Sequence, residues 1–134
     1  MKVLTSELAN IALDWAVATA LGIETYGPED FREQRKYTVK NGEYVYRWSS
    51  SRAQGGVILE DEGIDLIRER QPVDCGNGAV RLQPVGWRAQ VGPSAVDMEP
   101  QFTQLGPTQL VAGLRCFISY KIGAEVEIPD VLLN

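Results

Sequence analysis

The sequence of 134 residues contains no histidine. Histidine is the commonest general base, the usual partner in a nucleophilic triad and the commonest zinc ligand, so its absence removes the simplest catalytic arrangements. Only two cysteines are present, Cys75 and Cys116, which are too few for a disulfide framework and are not spaced as metal ligands. We therefore predict no catalytic residue, no metal and no cofactor. We expect a reducing compartment, with Cys116 in the core and Cys75 in a loop.

Long apolar runs are also missing. No stretch approaches the ~20 apolar residues that span a bilayer, and the start of the chain lacks the apolar region of a secretion signal. We expect a cytoplasmic protein that does not enter a membrane. The length fits a single domain over residues 1–134, large enough to bury a core without disulfides.

Basic residues are fewer than acidic ones, which gives a net charge of −5. Wholesale binding to long nucleic acid needs a cationic surface, so we do not expect it. The charge is uneven, however. Residues 31–52 hold six basic and two acidic side chains, whereas the rest of the chain holds seven basic and sixteen acidic ones. This cationic segment is either a solvated hairpin or a binding surface.

The N-terminal part of the chain predicts a helix. Residues 6–22, SELANIALDWAVATALG, place apolar side chains on one face. Ser6 is the expected N-cap and Gly22 the expected stop. Residues 2–4 predict a short strand before this helix.

The C-terminal part predicts a second helix over residues 106–123, GPTQLVAGLRCFISYKIG. Pro107 suits the first helical position, and Gly123 closes the helix. An extended tail follows, in which Val126 and Ile128 are expected to pack on the core.

Between the helices, Asn41-Gly42 predicts a tight hairpin with one aromatic face and one mainly cationic face. Residues 57–63 fit either a helical turn or a short strand. Residues 64–69 and 86–92 alternate as strands do. Prolines and glycines predict loops over residues 70–86, where AVRLQ could pair briefly, and over residues 93–101. Together these features predict an α+β fold, with two helices near the N- and C-termini packed on a small, mostly antiparallel sheet.

Four motifs occur in an order seen in one family: LTSELANIALDWAVATALG, QGGVILEDEGI, the strand around GWRA, and GPTQLVAGLRCFISYKIGAEVEIPDVLL. On these motifs the chain resembles the bacteriophage NinX-like family. The family usually has proline after the paired glycines, where this chain has Val57. The resemblance implies a phage or prophage origin and a soluble protein made in the host cytoplasm. It implies no particular reaction.

The stretch RWSSSRAQGG, residues 47–56, is the first candidate site. Glycine amides and serine hydroxyls can donate to an anion, arginines can clamp a phosphate, and tryptophan can stack on a base. An ordinary surface loop would have a similar composition. The predicted cradle comprises Arg47, Trp48, Ser49, Ser50, Arg52, Gln54, Gly55 and Gly56.

Weaker candidates for the far wall of this site are Trp87, Thr108 and Arg115. Trp87 could equally be packed in the core, and the start of the helix near Thr108 has free amides but no P-loop lysine. Asp14 is expected to be exposed or to make a structural hydrogen bond. The three acids of residues 60–62 favour a solvated turn over a metal site, because consecutive side chains point in different directions.

Three functions remain. The first is a non-enzymatic homo-oligomer that sequesters a small anionic, nucleotide-like molecule, such as a host immune signal. The second is an adaptor that binds a host or phage enzyme through an exposed apolar patch, expected on the tail PDVLL. The third is a metal-dependent enzyme that cleaves nucleotides with carboxylates.

Overall fold

The structure is a computed structural model that describes residues 1–23, 47–76, 78–93 and 100–133. The hairpin predicted at Asn41-Gly42 lies outside these ranges. The helices are α1 (Asn10–Leu21), α2 (Arg52–Asp61) and α3 (Gln109–Lys121). The strands are β1 (Lys2–Leu4), β2 (Asp65–Asp74), β3 (Val80–Pro93), β4 (Pro100–Gly106) and β5 (Glu125–Glu127).

Two antiparallel sheets organise the described residues. Strands β2, β3 and β4 form one sheet in chain order, and β1 pairs with β5 in the other. Both helices predicted near the termini are present, so the predicted α+β class is confirmed. The short strand predicted at residues 2–4 is also confirmed.

Helix α3 occupies the centre of the core. It buries Leu114, Phe117 and Ile118 and packs on β3 and β4, while α1 and α2 pack against α3. Cys116 is fully buried in this helix, as predicted, and burial raises the pKa of its thiol to about 11. Cys75 is exposed in the turn after β2, also as predicted.

The two ends of the chain lie side by side. Val3 pairs with Val126, and the Thr5 hydroxyl donates to the carbonyl of Gly123 at 2.6 Å. Val126 and Ile128 are buried, which confirms their predicted packing. Ser6 lies in a short 3-10 turn, so the prediction that it caps α1 is wrong.

Residues 70–86, predicted as a loop, are mostly strand. Strand β2 continues to Asp74 and pairs with β3 from Val80 onward. The turn between them uses Gly76 and Gly78, both with positive φ. The prolines in this region led to the loop prediction, because proline lacks the N–H that a central strand needs. In residues 70–74 and 80–84, however, each strand has one unpaired edge, where a missing N–H costs no ladder hydrogen bond.

Strand β4 was not predicted and begins within the region assigned to a loop. It pairs with β3 from Trp87 opposite Gly106 to Pro93 opposite Pro100. Gly106 at its end lies so close to the backbone of Ala112 that a side chain there would collide with it. Glycine therefore allows the sheet to approach the start of α3.

Candidate functional site

Residues 47–56 do not form the open loop that their composition predicts. The amides of Ser50 and Ser51 donate to the carbonyl of Arg47, which closes a turn, and α2 starts at Arg52. The Ser51 hydroxyl then accepts from the amide of Gln54. A serine three residues before a glutamine is a capping-box pattern, so the sequence did contain a signal for this helix start.

Trp48 is 3% exposed and belongs to the hydrophobic core. Gly55 lies directly against the carbonyl of Trp48 and the side chain of Leu110. Its lack of a side chain therefore serves helix packing, and its amide already donates to the carbonyl of Ser51 at 2.8 Å. Trp48 and Gly55 are not placed to form the surface of a ligand cradle.

Asp14 anchors the same turn from helix α1. Its Oδ1 atom accepts a 2.7 Å hydrogen bond from the amide of Ser49, and the side chain is 7% exposed. Burial raises the pKa of Asp14 to about 6, although the hydrogen bonds from Ser49 and the charge of Arg47 oppose that rise. This confirms the structural hydrogen bond that was one of the two expectations for Asp14.

Arg47 and Arg52 are exposed and do not converge with Trp48 on one concave spot. Arg52 and Gly56 instead line a small groove of about 370 Å³ between α2 and the start of α3. Gln109 and Glu60 line the same groove, whose lining therefore holds one acid and one arginine. Two of the eight residues predicted for the cradle therefore line this groove, and their binding of a ligand stays a prediction.

A larger groove of about 920 Å³ lies on the other side of the start of α3. It contains Trp87 and Arg115, two of the three residues predicted for the far wall. The end of β4, the middle of β3 and the turn before α1 form its walls. Its lining residues are Ser6, Glu69, Val85, Trp87, Arg88, Thr103, Gln104, Leu105, Gly106, Pro107 and Arg115.

Arg115 is held rigidly in this groove. Its Nε atom donates to the carbonyl of Leu8 and its Nη1 atom to the carbonyl of Leu105, both at 2.8 Å. Partial burial lowers the pKa of this guanidinium from its ordinary value. Within the described part of the chain, no carboxylate lies within ion-pair distance of Arg115. A guanidinium has five N–H donors, so two backbone bonds leave donors that can point toward a ligand.

Trp87 and Arg88 are neighbours on β3 that both reach the groove. Arg68 stacks on the Trp87 ring at 4.9 Å from its centroid, and Arg68 itself does not line the groove. The Nε atom of Arg88 lies 3.1 Å from a carboxylate oxygen of Glu69. With Arg88, Arg115 and Glu69 in its wall, the groove has a net positive charge.

Thr108, the third residue of the predicted far wall, has a structural role. Its hydroxyl accepts from the amide of Val111 at 3.1 Å, and it is the N-cap of α3. The helix therefore begins at Gln109, two residues after the proline that was expected to start it. Thr108 does not line the larger groove.

Sequence reasoning did not identify Arg88, Glu69 and Thr103, which line the larger groove. The alternation of side chains along β2, β3 and β4 could have indicated them. Because residues 70–86 and 93–101 were predicted as loops, the pairing of these strands was not predicted. Only the register, with Arg88 opposite Leu105, brings these side chains together.

The carboxylates of residues 60–62 do not converge. Glu60 and Asp61 are exposed, and an oxygen of Glu62 lies 3.9 Å from Lys121 Nζ. In residues 1–23, 47–76, 78–93 and 100–133, no three acidic or cysteine side chains are grouped as metal ligands. Within those same ranges, no helix has the length and apolar character needed to cross a membrane.

Comparison with known proteins adds one finding. A family model described as Bacteriophage P22, NinX matches residues 4–121, which include every residue of the larger groove. A search of curated proteins finds no match to the chain.

Proposed function

The chain belongs to the bacteriophage P22 NinX family, and on that premise we propose that this small phage protein binds a small anionic, nucleotide-like molecule without transforming it. It would act in the host cytoplasm by sequestering that molecule, which could be a host immune signal. The site is the larger groove, whose position differs from the segment that the sequence favoured.

The observation that supports this proposal best is the placement of Arg115. Two backbone carbonyls fix its guanidinium, and no carboxylate in the described residues neutralises it. A partly buried positive charge without an acidic partner favours an anion, because a charge-assisted hydrogen bond recovers the cost of desolvation. The planar fork of arginine suits a phosphate or a carboxylate.

The rest of the wall favours a ligand with a flat ring beside its charge. Trp87 offers part of an indole for stacking, which suits any nucleobase. Ser6, Thr103 and Gln104 offer hydroxyl and amide groups that match a ribose or a base edge. A volume of about 920 Å³ lies within the range of small-molecule sites, ~300–1,000 Å³.

The test is isothermal titration calorimetry of the purified chain against cyclic dinucleotides, ADP-ribose and its derivatives. We expect heat with at least one of them. Arg88→Ala should weaken that binding about tenfold or more, because it removes a charged donor from the groove. Glu69→Gln should strengthen it, because it removes the one acid in the groove wall.

Arg52→Ala is the matched control, since Arg52 lies in the smaller groove. It should leave the affinity unchanged. If Arg52→Ala abolishes binding and Arg88→Ala does not, the ligand binds at the segment 47–56 and not in the larger groove. Absence of heat with every ligand at millimolar concentration would end the proposal.

The adaptor remains the second candidate function, but its expected surface has changed. In the tail that was predicted to expose an apolar patch, Leu132 is buried at 6% exposure, whereas Leu133 is 37% exposed. Exposed apolar side chains lie instead on the β2–β3 hairpin, where Val80 and Leu82 are 66% and 62% exposed. A protein partner that is pulled down at moderate salt, and that Arg88→Ala still binds, would favour the adaptor.

The third candidate, metal-dependent cleavage of nucleotides, has no cluster of ligands to support it in the described ranges. Turnover of a nucleotide that needs a metal and is abolished by changing Glu60 or Asp61 would support it instead.

A further inference from the structure

The outer half of the β2–β3 hairpin extends beyond the third strand of its sheet. Strand β4 pairs with β3 only from Trp87 onward, so residues 70–74 and 80–84 pair with each other alone. A register irregularity between Glu69 and Arg70 separates this outer part from the rest of the sheet. We call the paired residues 70–74 and 80–84 the arm.

One face of the arm is exposed along its whole length. Directly opposite residues share a face in an antiparallel pair, and alternate residues along a strand do so as well. The arm face therefore comprises Arg70, Pro72, Asp74, Val80, Leu82 and Pro84, all of which are exposed. Two-stranded hairpins are marginally stable alone. Four of the six side chains on the arm face are apolar, and all four are exposed.

The charges on the arm face are arranged symmetrically about its centre. Arg70 lies two residues before Pro72 and Asp74 lies two residues after it. Within the described ranges neither charge has an ion-pair partner. Asp74 is also held in place, because its Oδ1 atom accepts from the amide of Gly76 at 2.8 Å.

We propose that a second copy of this chain binds the arm face, related by a two-fold axis that runs across the strands at the Pro72–Leu82 pair. That axis reverses the direction of the second arm. It sets Arg70 of each copy against Asp74 of the other, and Val80 of each copy against Pro84 of the other. At the centre, Pro72 meets Pro72 and Leu82 meets Leu82 of the second copy. An isologous interface needs such self-complementarity, and here both charge pairs are satisfied together.

This orientation also suits the shape of the molecule, because the two domain bodies lie at opposite ends of the paired arms. The arm is five residues long and two strands wide, about 17 Å by 10 Å. That is much smaller than the ~800 Å² per partner of a standard interface. We therefore expect a weak dimer, with a Kd on the order of 10–100 µM. The proposal does not depend on the ligand groove.

Sedimentation equilibrium of the full chain over that concentration range tests it. The wild-type chain should show a monomer–dimer equilibrium. Arg70→Glu and Asp74→Lys should each weaken the dimer by about tenfold or more, because each sets like charges against each other at two symmetric positions. The double variant R70E/D74K should recover the wild-type Kd, because both pairs are restored with exchanged sign.

Arg81→Glu is the matched control, since Arg81 lies on the opposite face of the arm and the change in charge is the same. It should leave the Kd unchanged. An equal mixture of the R70E and D74K single variants should form a heterodimer, because each variant supplies the charges that the other needs.

Asp74→Lys also removes the oxygen that accepts from the Gly76 amide. The double variant R70E/D74K lacks that oxygen too. If the double variant recovers the wild-type Kd, the weak dimer of Asp74→Lys is therefore due to charge repulsion and not to a misfolded arm. A wild-type chain that stays monomeric throughout would overturn the proposal. So would dissociation by Arg81→Glu equal to that by Arg70→Glu, or a double variant as weak as the single ones.

Discussion

At the scale of single residues, Asp14 shows how a polar side chain shapes the candidate region without binding a ligand. Its carboxylate accepts from the amide of Ser49 and thereby fixes the turn that delivers Trp48 to the core. Because Asp14 lies within the apolar sequence of α1, it was expected either to be exposed or to make a structural hydrogen bond. The identity of the donor, 35 residues away, could not be predicted from one sequence.

The raised pKa of Asp14 makes a prediction about pH. The folded-state pKa is about 6 and the ordinary value is 3.8, so the folded chain holds a proton there that the unfolded chain releases. The contribution of this group to stability is therefore lost as pH rises from about 4 to about 6. Asp14→Asn keeps an acceptor for Ser49 but carries no charge. The free energy of unfolding of this variant, relative to that of wild type, should rise by up to roughly 3 kcal/mol between pH 4 and pH 7.

Urea unfolding at several pH values measures this gain as the difference between the two proteins. Asp61→Asn, which changes an exposed carboxylate on α2, provides the control and should show no comparable trend. A difference for Asp14→Asn that is constant from pH 4 to pH 7 would show that ionisation of Asp14 does not affect folding.

At the scale of elements, the sequence predicted α1, α3 and the core part of β2 and β3. Hydrophobic periodicity and the glycines at the helix ends marked the helices, because burial of one face follows the helical period. The first half of α2 was missed where Gly55 and Gly56 imitate a loop, whereas residues 57–61 confirm the helical alternative expected for residues 57–63. Glycine is unfavourable within a helix, but close packing against Trp48 overrides that preference.

The two adjacent glycines of α2 should therefore respond in opposite directions. Gly55→Ala would push a methyl group into the carbonyl of Trp48 and the side chain of Leu110, so we expect a loss of at least about 2 kcal/mol in the free energy of unfolding. At Gly56, no described atom lies within 4 Å of the position of a Cβ. Gly56→Ala should stabilise α2 by about 0.5–1 kcal/mol.

Thermal unfolding of the two variants beside wild type measures both effects, and each variant serves as the control for the other. Equal destabilisation by the two substitutions would mean that the helix does not lie against Trp48 as described. Equal stabilisation would mean that helix propensity alone governs both positions.

At the scale of the whole molecule, the candidate site was harder to predict than the fold. The larger groove combines Ser6, Trp87 and Arg115, which are far apart in the sequence and meet only through the register of β3 with β4 and the packing of α3. Composition identified Trp87 and Arg115 as candidates but could not show that they share a groove. The stretch 47–56 had the more suggestive composition, yet Ser51 in it caps α2, and Trp48 and Gly55 are packed in the core.

The pairing of the two chain ends makes a prediction for the whole molecule. Ile128 is 1% exposed and follows β5, which pairs with β1 near the start of the chain. Ile128→Ala should cost about 2–5 kcal/mol, because it leaves a cavity in the core beside the paired ends. Leu4→Ala in β1 is the matched control, since Leu4 is 46% exposed, and it should cost less than about 1 kcal/mol.

Urea unfolding distinguishes a loss of global stability from local fraying of the small sheet. If the ends belong to the same cooperative unit as the core, Ile128→Ala should lower the midpoint while the slope of the transition stays the same. Thr5 supports this expectation, because its amide and hydroxyl bind the carbonyls of Ala124 and Gly123 and so join the ends firmly. An unchanged midpoint, with faster hydrogen exchange confined to β1 and β5, would show instead that the ends open independently of the core.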